Sequence, residues 1–214
     1  MQERLLAAVT PLEAVPDSEK DWHPGSDGLV LNLVHPSLYP IVYGRTMGKL
    51  SGSGTATILE PPELEGADPK FISKRFQWLP SDFSVDGDGK VTLASPYINN
   101  IHPTRHKELY SVIPGILQHS LPVFERVLSD LLQPLLPARI TASGGYGFER
   151  EETVECTRKY DGNLEVMNDQ ISLRGRTLQV IVRLANVVLT PERPEYPGGK
   201  WHVEGLLPLR PIQK

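Results

Sequence analysis

The spacing of apolar residues switches from extended to helical and back along the chain, and the switches divide it. Between residues 11 and 40, Pro11, Pro16, Pro24, Pro36 and Pro40 punctuate the sequence. Only Leu29 to Val34 reads as a short extended run, with Ile41 to Tyr43 continuing it as a strand. Trp22, Leu29, Val30, Leu31, Leu33, Val34, Leu38 and Tyr39 make this stretch too apolar for disorder, so it is expected to lie as ordered chain across a domain surface. Gly44, Gly48, Gly52, Gly54 and Gly66, with Pro61 and Pro62, leave only Thr55 to Leu59 strand-like in the next stretch. Phe71 to Leu79 then reads as a strand. Phe83 to Val85 and Lys90 to Ala94 read as two more, joined by Asp86-Gly87-Asp88-Gly89, a composition that favours a tight hairpin turn.

From Thr104 to about Leu136 the period becomes helical. Leu109, Val112, Ile113, Ile116 and Leu117 share one face, and Phe124, Val127, Leu128, Leu131 and Leu132 share another, which predicts two helices. Pro114 is expected to kink or shorten the first. Pro122 suits the first turn of the second, with Ser120 as its cap. Gly144-Gly145-Tyr146-Gly147 marks a loop. Residues 177 to 190 are rich in β-branched side chains and predict one long, largely buried strand; after the turn-rich Pro191 to Gly199, Lys200 to Leu206 predicts another.

Composition narrows the function classes. With 214 residues and 39% hydrophobic content, the chain can build an ordinary packed core. Lys and Arg total 22 against 26 for Asp and Glu, a formal charge of -4, and the basic residues are scattered, so no nucleic-acid partner is expected. The apolar run at Leu5 to Val9 is too short for a signal sequence, and Glu3 is out of place in a transit peptide. Leu178 to Leu189 is interrupted by Arg183 and Asn186 and falls short of the roughly 20 apolar residues that span a membrane. These features, with Cys156 alone and unable to form an internal disulfide, point to the cytoplasm or nucleus.

The segment Trp201-His202-Val203-Glu204-Gly205 is the foremost chemical candidate. In a strand, residues two apart project from one face, so the His202 imidazole and the Glu204 carboxylate would stand side by side. Such a pair can supply two of the three ligands of a facial triad on non-haem iron(II); a surface or structural pair is the simpler reading of the same two residues. His102 and His106 have helical ligand spacing, but Pro103 places the first at a helix entrance and no third ligand is evident, which favours packing. His23 and His35 each precede a proline and read as hydrogen-bonding loop residues, and His119 as an ordinary helix residue. Asp86-Gly87-Asp88-Gly89 would need Glu at its twelfth position to resemble a calcium loop, and Tyr97 stands there. Gly52-Ser53-Gly54 lacks the Lys-Ser/Thr of a phosphate loop, and Cys156 follows Glu155, which disfavours a thiolate.

Five segments together resemble a known family. They are Asp21-Trp22-His23-Pro24-Gly25-Ser26-Asp27; Leu33-Val34-His35-Pro36-Ser37-Leu38-Tyr39-Pro40 with Tyr43-Gly44-Arg45; Phe76-Gln77-Trp78-Leu79-Pro80; Tyr97-Ile98-Asn99-Asn100-Ile101-His102-Pro103; and Tyr196 to Gly205. In order and content they are similar to the fungal domain-of-unknown-function 4246 family, DUF4246, whose C-terminal part resembles 2-oxoglutarate/Fe(II) oxygenases. The resemblance implies Fe(II) held by His202 and Glu204, 2-oxoglutarate as co-substrate, and a later His and Arg as third ligand and carboxylate anchor. It leaves the substrate, small molecule or protein, undefined.

Beyond Gly205 the sequence departs from the family's continuation, and the third metal ligand is absent from it. The chain is therefore expected to be a truncated member, inactive by itself. The fold class expected is α+β, as a single incomplete domain: a Pro-rich wrap and small β region over 1–103, a helical pair over 104–136, and over 137–214 the opening strands of an incomplete, jelly-roll-like double-stranded β-helix. The alternative is a non-catalytic binding or scaffold domain in which His202 and Glu204 are structural.

Overall fold

The run Val30-Leu31-Asn32-Leu33-Val34 forms a strand with all five residues buried, and the architecture is organised around it and one other central strand. The computed structural model describes residues 1–49, 55–63, 73–132 and 170–199. In chain order the elements are α1 (Gln2–Glu13), β1 (Asp21–Trp22), β2 (Val30–Val34), β3 (Ile41–Val42), β4 (Met47–Gly48), β5 (Thr57–Ile58), β6 (Phe76–Gln77), β7 (Ser81–Val85), β8 (Val91–Leu93), α2 (Lys107–Asp130), β9 (Thr177–Val180) and β10 (Leu184–Val187). Among the described residues all strand pairings are antiparallel. They build two three-stranded sheets, β1-β2-β10 and β8-β7-β9, and two small ribbons, β3-β6 and β4-β5, so the chain is α+β. No helix among the described residues is long and apolar enough to cross a membrane.

The two sheets and two helices share one core. Val34, Phe83, Val85, Ile98, Ile101 and Leu109 are its most deeply buried side chains. The N-terminal apolar run, which suggested no element of its own, is the helix α1. Leu5, Ala8, Val9 and Leu12 lie at helical spacing and face the core. Pro11 falls in its last turn and, lacking an N–H, leaves the Ala7 carbonyl without its intrahelical donor. Arg4 donates to the Ser111 hydroxyl at 2.9 Å and Asn186 donates to the Glu13 carboxylate, tying α1 to α2 and to β10.

The hairpin between β7 and β8 forms where expected. Asp86 Oδ1 accepts the backbone N–H groups of Asp88 and Lys90 at 2.9 and 2.8 Å, and Gly89 supplies the left-handed φ of 87° that the turn requires. This is turn chemistry.

Two expectations are corrected. The first is the helical pair, because Lys107–Asp130 is one continuous helix through both Pro114 and Pro122. A proline inside a helix costs about 3 kcal/mol, yet Leu109, Ile113, Leu117, Leu121 and Leu128 remain on one side and pack into the core. Pro114 is itself buried there. Ser120 is not a cap: its hydroxyl donates to the Ile116 carbonyl at 3.0 Å, the local bond serines make within helices. Of the apolar face expected on a second helix, Leu128 packs inward, while Phe124, Val127, Leu131 and Leu132 are exposed.

The second correction is the long buried strand over 177–190. It divides into β9, which pairs with β7, and β10, which pairs with β2. Both alternate between half-buried and exposed positions, as strands covered on one face do. The division follows from two separate sheet edges, each needing a partner, so the chain leaves one and joins the other across Ile181–Arg183. Lys200 to Leu206, the next expected strand of the C-terminal fold, lies outside the described residues.

The chain re-enters beside the end of α2. Ser129 Oγ accepts from the Ile171 N–H at 2.7 Å, and Glu125 Oε1 accepts from the Leu173 N–H at 2.7 Å and the Ser172 hydroxyl at 3.3 Å. Replacing Glu125 with Ala leaves a half-buried N–H without its charged acceptor, and a loss of about 1–3 kcal/mol is expected in urea unfolding. Glu125→Gln, which retains a carbonyl oxygen, is expected to lose less. A Glu125→Ala variant as stable as the parent would show that the bond to the carboxylate is not what holds the segment.

Candidate functional site

A small cleft of about 160 Å³ opens where three separate parts of the chain meet. Its walls include His23, Ser26 and Val30 from the β1–β2 connection, Arg183 from the crossing between β9 and β10, and Tyr196 and Gly199 from the segment after β10.

The β1–β2 connection is a tight, self-bonded loop. The His23 N–H donates to the Val30 carbonyl at 2.8 Å, and the Ser26 N–H and hydroxyl both donate to the His23 carbonyl, at 3.1 and 2.7 Å. Gly25 and Gly28 adopt positive φ of 76° and 71°, which an L side chain resists, so the sequence Pro24-Gly25-Ser26-Asp27-Gly28 specifies this turn. Arg193 braces it from the far side through a 2.7 Å bond to the Asp27 carbonyl. Ser26 is buried as the hub, and the His23 ring is held at the cleft wall.

Arg183 reaches the cleft because β9 and β10 belong to different sheets and the chain turns between them. Its Nη2 faces His23 Nδ1 at 3.5 Å. The His23 and His35 rings lie 6.3 Å apart, and His35 stands edge-on to Trp78 at 6.4 Å. On the opposite wall the Tyr196 hydroxyl folds back over Gly199, where an added Cβ would meet it at 3.4 Å. A guanidinium and an imidazole beside apolar Val30 suit a small acceptor-rich or anionic group. Drug-sized sites occupy about 300–1,000 Å³, so this cleft fits something smaller.

The histidines sort by which ring nitrogen is in use. His35 Nδ1 accepts from the Ser37 N–H at 3.2 Å. His102 Nδ1 accepts from the N–H groups of Thr104 and Arg105 at 3.3 and 3.4 Å. A ring that accepts at Nδ1 carries its neutral-form proton on Nε2, so these two serve as backbone caps with no lone pair left for a metal in that tautomer. His119 has the reverse arrangement, donating Nδ1–H to the Gly115 carbonyl at 2.7 Å. His106 stands at the N-terminus of α2 with Nδ1 buried and without a hydrogen-bond partner. Burial, then the charges of His102 and Arg105, hold its pKa below the ordinary imidazole value of 6.5. Among the described residues no three His, Cys, Asp or Glu side chains are grouped to hold a metal ion.

His202 and Glu204 lie outside the described residues, as do Gly52-Ser53-Gly54 and Cys156. The structure instead brings together His23, assigned from sequence only to a loop, with Ser26, Arg183, Tyr196 and Gly199. A signal for Arg183 was present: it is the cation that interrupts the apolar run Leu178 to Leu189, and a charge in such a run marks either a strand break or a site. Here it marks both.

A family model described as "Protein of unknown function (DUF4246)" matches residues 1–208. The chain belongs to this family. The match spans the cleft residues and also His202 and Glu204. No curated protein and no solved structure matches the chain.

The state of His106 has a consequence for stability. Its folded pKa lies below the unfolded value, so the unfolded chain takes up the proton first as pH falls. The stability it contributes is complete above about pH 6.5 and declines from there down to its lowered folded pKa. His106→Gln, which does not titrate, is expected to flatten this part of the profile. Urea midpoints at pH 7.5 and 5.5 measure it, and identical pH dependence in both proteins would remove His106 as the cause.

Proposed function

We propose that this chain contributes part of an iron(II)- and 2-oxoglutarate-dependent oxygenase-like site, with His202 and Glu204 as two of the metal's ligands. The observation that carries the reading is the cleft beside the last described residues. Gly199 lines it together with His23 and Arg183, and His202 follows Gly199 by only three positions in the chain. The His-x-Glu spacing supports it, since alternate residues of a strand share a face. The described residues supply no metal site of their own, so the ligand set rests on this pair and one further group.

In such a site bound iron(II) would supply oxidation by dioxygen, with 2-oxoglutarate as the electron source, decarboxylated to succinate. The protein's part is placement. The turn at Gly25–Gly28 and the crossing at Ile181–Arg183 set rigid walls, Val30 gives an apolar surface that limits water, and Arg183 favours a carboxylate nearby.

A non-catalytic binding or scaffold role, with His202 and Glu204 as a structural pair, is favoured by a different observation: His35, His102 and His119 all serve the backbone through Nδ1.

One set of measurements separates the two readings. In the intact gene product, iron(II) is expected to bind and to stimulate succinate release from 2-oxoglutarate. His202→Ala and Glu204→Ala are each expected to weaken metal binding by roughly tenfold or more, since affinity depends on the ligands present and their support. His102→Ala is expected to change neither. Binding and turnover that are indifferent to both ligand variants would overturn the oxygenase reading. So would a folded protein that takes up no iron, and this last outcome is what the scaffold reading expects.

A further inference from the structure

We draw no further inference here: the strongest candidate, the exposed apolar stripe formed by Val123, Phe124 and Val127 on the C-terminal half of α2 with Leu131 and Leu132 in the turn after it, carries none because nothing among the described residues shows what covers it.

Discussion

Thr177–Val180 and Leu184–Val187 are third strands of two different sheets, and three residues carry the chain from one to the other. This shared segment is the constraint on which the rest depends. β2 and β7 are the central strands of their sheets, and each exposes ladder groups on one side unless the segment lies against it. Buried backbone N–H and C=O groups must be paired, so the same chain completes the hydrogen bonding of both. It also holds the sheets together over one core, to which Leu178, Val180, Val182, Leu184 and Val188 add their partly buried side chains.

The position of the cleft follows from the same crossing. The chain leaves β7 for β2 between β9 and β10, and the break falls at Ile181–Arg183. It turns the Arg183 guanidinium toward His23, which the β1–β2 turn fixes independently. The two residues are separated by most of the chain: Arg183 precedes the end of β10 that pairs with Val34, and its guanidinium reaches back to His23, which is bonded beside Val30. The segment that leads toward His202 also reaches this cleft, through Tyr196 and Gly199.

Local chemistry made much of the fold legible. The five-residue run of β2, the Asp-Gly hairpin at Asp86–Gly89 and the helical period beginning at Leu109 all express preferences that a short window contains. Pro114 and Pro122 misled because a local rule about helix breaking was outweighed by a stripe of apolar side chains burying on one side over the helix's length. The single long strand over 177–190 failed for a related reason: its β-branched composition records extended chain but not which sheet each half joins. In the cleft, the glycine turn after His23 was readable as a loop. The contact between Arg183 and His23 was not, since it arises only when distant parts of the chain meet. The spacing of His202 and Glu204 was plain in the sequence, and their alternation is as much as a strand pattern by itself can supply.

The register of β2 has a further implication for how the protein is made. Val34 pairs with Leu184, so this wholly buried strand receives its second neighbour only after 150 more residues have been added. At a synthesis rate of about 5–20 residues per second, roughly 8–30 s pass with one side of an apolar strand open. Through that interval β1 can cover one edge, while the other must be kept from foreign strands by the nascent chain or by a chaperone.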